Sequence, residues 1–205
     1  LNAIMKSHFT EALKLENNAR LDRLVLNAPR LTQLSAPALS GLTRLDVTAP
    51  KLAQLDSAVM PNLVDLKVSA PGFKQLDLST LSNLEHLFLG DGALQALTLG
   101  ANTRLEDIFI GSSKIQALDF SQLSALKNLH LGRNQLQVLD VQSNPALMSL
   151  TYTLPAPADI RLPEVGFELP VTVEPAVKKI QALTSADLPD EILRKCVSAT
   201  ATSQG

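Results

Sequence analysis

The stretch LKNLHLGRNQLQVLDVQSNPA, residues 126–146, is one 21-residue unit of a repeat that runs through most of the chain. A leucine opens each unit, with no insertion or deletion over six consecutive units: Leu21, Leu42, Leu63, Leu84, Leu105, Leu126 and Leu147. A unit this short cannot bury its apolar side chains alone, so it must stack on its neighbours. The repeat therefore predicts a solenoid that presents an extended surface to a partner.

Apolar residues recur at positions 4 and 6 of the unit, on either side of a variable position 5. The two rows are Leu24, Leu45, Leu66, Leu87, Ile108 and Leu129, and Leu26, Val47, Val68, Leu89, Ile110 and Leu131. This alternation is typical of a strand, and it predicts that positions 4 and 6 are buried and position 5 is exposed. Because every unit winds in the same direction, we expect a parallel sheet. Seven strands about 4.8 Å apart would span roughly 30 Å.

The second half of each unit supplies the other wall of the core, through apolar residues at positions 11, 14 and 16. A 21-residue unit leaves no room for a full helix on this return path, so we expect extended or single-turn structure there. Aspartate recurs at position 15, as Asp56, Asp77, Asp119 and Asp140. Such a row is predicted to accept backbone hydrogen bonds in Asx turns rather than to form a metal ladder.

The pattern resembles the leucine-rich repeat family over about residues 21–154, most closely in LGRNQLQVLDVQSN at 131–144. Its 21-residue unit with an LDxS half is similar to bacterial, internalin-like repeats. The resemblance implies an α/β but mainly β fold, a right-handed solenoid with a parallel concave β-sheet and short helical caps. The family's position-9 asparagine is kept only as Asn134, whereas Pro29, Pro50 and Pro71 stand there in the early units. We expect the fixed φ of proline to stiffen those turns.

The template divides the chain into three parts: an N-terminal cap and partial repeat (1–20), the solenoid (21–154), and a Pro-rich C-terminal cap with short helices (155–205). We expect a short helix over the first dozen residues, lying across the open edge of the sheet. A helix beginning near Pro189 would place the single cysteine, Cys196, on an apolar face. Cys196 is therefore predicted to be buried and catalytically silent.

Several classes of function are disfavoured by the composition. A net charge of -2, from 18 basic and 20 acidic residues, argues against nucleic-acid binding. No apolar run approaches the roughly 18 residues of a membrane span, and no targeting signal is apparent in this chain. The histidines His8, His86 and His130 are too scattered for a zinc site without cysteines. We therefore predict no catalytic residue, no metal and no cofactor.

The candidate binding residues lie on the exposed side of the predicted strands. Position 5 reads Val25, Asp46, Lys67, Phe88, Phe109, His130 and Thr151. Two exposed phenylalanines on adjacent strands, surrounded by acidic residues, are typical of a protein-binding centre. The predicted partner-binding set is Phe88, Phe109, His130, Glu85, His86, Glu106, Asp107 and Lys67.

Two alternatives remain for this surface. The rings could stack only to stabilise neighbouring strands, and a partner would then dock towards the end of the face that carries Arg23, Arg44 and Lys67. Asp46 and Lys67 are predicted to form an internal cross-strand pair.

The resulting hypothesis is a non-catalytic protein-binding module, part of a bacterial surface or secreted protein. The alternatives are a structural spacer, or a substrate-recognition fragment of an enzyme, such as a bacterial ubiquitin-ligase effector, whose catalytic domain lies outside this chain.

Overall fold

A computed structural model describes residues 2–6, 11–15, 18–36, 39–100, 102–153, 159–163 and 171–174. Within these ranges the protein is almost entirely β. The strands in chain order are β1 (Asn2–Lys6), β2 (Ala12–Lys14), β3 (Arg23–Asn27), β4 (Gln33–Ser35), β5 (Arg44–Thr48), β6 (Asp65–Ser69), β7 (Gln75–Asp77), β8 (His86–Leu89), β9 (Ala96–Thr98), β10 (Asp107–Ile110), β11 (Asn128–Leu131), β12 (Val138–Asp140), β13 (Ser149–Thr153), β14 (Asp159–Arg161) and β15 (Val171–Glu174). One turn of 3-10 helix, Ser57–Val59, completes the described elements.

The longer strands form one parallel sheet of nine strands, in the order β1-β3-β5-β6-β8-β10-β11-β13-β15. Each residue of a strand pairs with the residue 21 positions further along the chain. Leu24 pairs with Leu45 in this way, and Leu87 pairs with Ile108. Three further pairs, β2–β4, β7–β9 and β12–β14, run along the return path of the coil. The constant offset makes the protein a solenoid of stacked coils.

The predicted burial of the strands is confirmed. Every residue at positions 4 and 6 of β3, β5, β6, β8, β10 and β11 is buried. In β8 the contrast is clear, because Leu87 is 2% exposed while its neighbour Phe88 is 36% exposed. The strand register, and with it the set of residues on the exposed side of the sheet, is therefore as the period-two pattern predicted.

The return path is extended or single-turn, as expected, and its apolar residues close the core. Leu31, Leu52 and Ile115 at position 11 are fully buried. The aspartates of position 15 accept backbone hydrogen bonds two residues ahead: Ala58 N to Asp56, Ser79 N to Asp77, Ser121 N to Asp119 and Gln142 N to Asp140, over 2.8–3.1 Å. These are the predicted Asx turns, so each carboxylate serves its own coil.

Two of these turns change the acidity of their carboxylates. Hydrogen bonds from the backbone N–H and the hydroxyl of Ser79 lower the pKa of Asp77. Those from the hydroxyl and backbone N–H of Ser121 lower the pKa of Asp119. Both shifts have the same cause, a carboxylate that is stabilised in its charged form by donors.

The turns after the strands differ between the early and late coils. In the early coils, Leu31 N donates to Ala28 O, Leu52 N to Ala49 O and Phe73 N to Ala70 O, which closes a β-turn with proline at its second position. In a late coil, Asn134 accepts from Leu136 N and donates to Gly132 O instead. Position 8, the first residue of this turn, is buried as Ala28, Ala49 and Ala70, because the turn folds it against the core.

Both ends of the described chain add strands, and at the N-terminal end a helix was expected instead. Residues 2–6 form β1, which pairs in parallel with β3 from Asn2↔Arg23 to Lys6↔Asn27. This corrects the helix predicted over the first dozen residues, because the free edge of β3 is completed by backbone pairing at the same 21-residue offset. The offset also continues at the other end, where β13 pairs with β15 and β12 with β14. The helical caps are thus not confirmed, and His8, Pro189 and Cys196 lie outside the described residues.

Candidate binding face

We call the exposed side of the nine-stranded sheet the strand face. The side chains at position 5 form a continuous row along it. The rings of Phe88 and Phe109 stack with centroids 4.5 Å apart and planes 5° apart. His130 continues the stack on Phe109, at 4.3 Å and 1°. These three rings are the aromatic ladder. On its other side, Lys67 Nζ lies 5.5 Å from the centroid of Phe88 and 3.6 Å from Asp46 Oδ2.

This geometry confirms two interpretations made from the sequence. Asp46 and Lys67 form the predicted cross-strand pair. The rings do stack on one another, as the alternative to a binding role required. Stacking and binding are compatible, however, because the side chain of Phe88 stays partly exposed at the end of the pair. Stacking uses both faces of Phe109 and leaves ring edges towards solvent.

The side chains at position 3 form a second, parallel row of charged and polar groups. Arg44 Nε lies 2.8 Å from Asp65 Oδ2, and His86 Nε2 lies 3.8 Å from Asp65 Oδ1. Asp107 accepts hydrogen bonds from His86 Nδ1 at 2.7 Å and from Asn128 Nδ2 at 2.6 Å. We call these five residues the ionic ladder. Because Asp107 is an acceptor, Nδ1 of His86 carries a proton in this arrangement.

The acidic residues flanking the rings are paired. Glu85 forms an ion pair with Arg104, and Lys127 Nζ donates to Glu106 Oε2 at 2.7 Å. Asp107 is held by His86 and Asn128. Two of the three carboxylates expected around the phenylalanines, Glu85 and Glu106, therefore face a cation, while Asp107 is held by hydrogen bonds.

A groove of about 470 Å³ runs across the strands between the two ladders. Its floor is formed by position-4 residues, among them Leu66 and Leu87, whose side chains point into the core. One wall is the aromatic ladder and the other is the ionic ladder. The groove thus combines an apolar surface with hydrogen-bonding groups, which is the usual composition of a ligand-binding site.

All eight predicted site residues lie on this face. Six of them line the groove, namely Lys67, His86, Phe88, Asp107, Phe109 and His130. Glu85 and Glu106 lie outside the groove at position 2, next to the ionic ladder. The prediction did not include Asp65 and Asn128, which link the ionic ladder together. Both occupy the same position of the repeat as His86 and Asp107, so the repeat spacing could have identified them.

The described part of the chain contains no cluster of three or more histidine, cysteine, aspartate or glutamate residues able to hold a metal ion. No helix in the same ranges is long and apolar enough to cross a membrane. The groups that line the groove are aromatic rings, charged side chains, hydroxyl groups and the amide of Asn128. These groups can hold a ligand by apolar contact and by hydrogen bonds.

Comparisons with known proteins do not assign the face. Neither the protein-family profiles, the curated proteins nor the solved structures contain a significant match to this chain. What can be said of its function follows from the geometry of the strand face.

Proposed function

We propose that this protein is a non-catalytic binding module that recognises another protein through the strand face. We further propose that it is a leucine-rich repeat protein of the 21-residue bacterial type, from a surface or secreted protein. The stacked coils and the 21-residue offset support the family assignment. The aromatic ladder supports the binding role.

The observation that carries the proposal is a stacked aromatic row that lies between polar groups on the strand face. Phe88 is 36% exposed although the core beneath it is complete without it. Exposed apolar area is costly in water, at about 25 cal/mol for each Å². A partner that covers the rings recovers this free energy.

Stacking also prepares the rings for binding. Phe109 is held between Phe88 and His130, with ring planes within 5° of parallel on both sides. A side chain that is already fixed loses little rotamer entropy when a partner covers it, and each side chain that must be immobilised costs about 0.5–1.5 kcal/mol. The aromatic ladder is therefore a preorganised anchor.

The test begins with a display library of protein fragments, selected on the wild-type protein. Binding of the selected fragments is then measured by calorimetry for Phe88→Ala and Phe109→Ala. Each substitution should weaken binding by about 1–3 kcal/mol, as expected for central interface residues. Val138→Ala is the matched control, because Val138 is an exposed apolar residue outside the groove.

Two results would contradict the proposal. A folded Phe88→Ala/Phe109→Ala protein that binds at full strength would move the site to another surface. If instead this double variant unfolds, and the milder Phe88→Leu binds as well as the wild type, the stack has a purely structural role. Glu85→Gln and Glu106→Gln should change mainly the association rate and its salt dependence, since both lie beside the groove.

A further inference from the structure

The two ends of the groove differ in charge. The carboxylates that line it each have a partner: Asp46 forms an ion pair with Lys67, Asp65 forms one with Arg44, and Asp107 is hydrogen-bonded to His86 and Asn128. Arg23, which is at position 3 of its repeat unit and begins β3, also lines the groove and is exposed. Its guanidinium makes neither a hydrogen bond nor an ion pair with any other described residue. The groove thus has an uncompensated guanidinium at its β3 end.

The second Arg of this end is only partly engaged. Arg44 is the register partner of Arg23 on the adjacent strand. Its Nε faces Asp65, and the side chain remains 63% exposed. Two guanidinium groups side by side favour a carboxylate, which can accept several of their N–H donors at once.

The aromatic wall favours apolar groups and oxygen atoms over a cation. The separation of the ring centroids, 4.3–4.5 Å, is close to the spacing of the strands themselves, about 4.8 Å. Each ring therefore stands over its own strand with its faces turned to its neighbours, and its edge is free. A ring edge carries positive partial charge and attracts carbonyl or carboxylate oxygen, whereas a cation would need a ring face. Lys67 already occupies the outer side of Phe88.

The dimensions of the groove suit an extended chain. Arg23 and Phe88 lie on β3 and β8, three strand spacings apart, which corresponds to about 14 Å. An extended polypeptide covers this distance in about four residues, at about 3.3–3.6 Å per residue. Residues an even number apart project from the same side of an extended chain. An acidic residue and an apolar residue four positions later would therefore both face the groove.

We infer that the groove takes an extended acidic peptide, whose carboxylate meets Arg23 and Arg44 while apolar side chains four and six residues later meet the aromatic ladder. This inference rests on the proposed function and specifies the partner. The peptide lies with its acidic residue near β3 and its apolar residues towards β11.

The test uses a display library of random twelve-residue peptides, selected on the wild-type protein. The peptides that bind should share one acidic residue followed by apolar residues at the fourth and sixth positions after it. For the best peptide, the acidic residue is replaced by its amide, and both peptides are titrated into wild-type protein and into Arg23→Gln. The loss of the peptide carboxylate should weaken binding to the wild type by about fivefold, as for a solvent-exposed ion pair. In Arg23→Gln the same peptide change should have a smaller effect, because only Arg44 remains to meet the carboxylate.

Arg30→Gln is the matched control, because it removes the same charge from an exposed residue that does not line the groove. It should leave the difference between the two peptides unchanged. Selected peptides without an acidic residue, or a carboxylate effect that is undiminished in Arg23→Gln, would overturn the inference. So would a library that yields no binder. If Phe88→Ala abolishes binding but Arg23→Gln leaves it unchanged, the inference fails while the proposed function stands. If neither substitution changes binding, both the inference and the proposed function are contradicted.

Discussion

The first three coils, residues 21–83, and the next three, residues 84–146, share a core but differ in their turns and in their exposed side chains. The early coils close their turns with an alanine and a proline, as Ala49 and Pro50 do. The late coils place glycine before the turn, and Asn134 bonds the turn backbone with its side chain. The strand face changes at the same boundary, from the Asp46–Lys67 ion pair to the stacked rings of Phe88 and Phe109.

This difference shows that the coil does not depend on one turn chemistry. A turn needs its backbone groups satisfied, and a β-turn with proline or an asparagine side chain meets that need equally well. The stacking of coils depends instead on the buried residues that both halves share. Leu45 and Leu129, at position 4 of an early and a late coil, are 2% and 1% exposed.

The largest expected effect tests that shared core. Leu45→Ala and Leu129→Ala should each lower the free energy of unfolding by about 2–5 kcal/mol, because each leaves a cavity in a close-packed interior. The two losses should agree within about 1 kcal/mol, measured by urea denaturation. Val138→Ala, at a 39% exposed site, is the control and should change stability by no more than about 0.5 kcal/mol. A loss confined to one variant would mean that the halves do not share one core.

The next effect separates the two kinds of turn. A Cβ added to Gly132 would lie 2.6 Å from the carbonyl carbon of Gly111 and from Ser112 N, so the backbone must shift. Gly132→Ala should therefore cost about 1–3 kcal/mol, as overpacking does. Ser69→Ala, at the equivalent position of an early coil, should be nearly neutral in the same denaturation measurement. Equal tolerance at both sites would show that the late turns are not more tightly packed.

An effect of similar size concerns a buried asparagine in the late half. Asn102 donates to Leu78 O and Leu81 O, while its Oδ1 has no partner among the described residues. Early coils place Leu39, Met60 and Leu81 at this position, and all three are buried. Asn102→Ala should cost about 1–3 kcal/mol through lost hydrogen bonds and packing.

Asn102→Leu should cost less than about 1 kcal/mol. Leu81 N still donates to Leu78 O and Leu84 N still donates to Leu81 O, so both carbonyls keep a partner. The leucine also removes an unpartnered polar atom from the interior. Thermal unfolding of the two variants provides the measurement, and equal destabilisation would show that the asparagine is required in its own coil.

The smallest effect should be common to both halves, because each contains an Asx turn that lowers the pKa of its aspartate. A depressed pKa in the folded state contributes stability above the unfolded value of 3.8, and that contribution is lost as the pH falls through the folded pKa. Asp77→Asn/Asp119→Asn should therefore show a weaker decline of unfolding free energy below about pH 4 than the wild type. Glu11→Gln, an exposed carboxylate without such a turn, is the control. An unchanged pH profile in the double variant would exclude this contribution.

The sequence by itself determined the coil length, the strand register, the burial of positions 4 and 6 and the Asx turns. These follow from local rules, because period-two alternation and a repeated aspartate have the same meaning in every coil. It also identified the row that contains Phe88, Phe109 and His130.

Tertiary structure decided how that row is arranged and how the ends continue. Whether Glu85 and Glu106 remain free or pair with Arg104 and Lys127 depends on side chains about 20 residues away, which meet only after stacking. The extra strands β1 and β15 carry no clear template, yet each adds to the sheet at the same offset because an open parallel edge supplies the hydrogen bonds that a lone segment lacks. Spacing along the chain predicts which residues share a row, whereas pairing within and across rows requires the distances that only the folded coils provide.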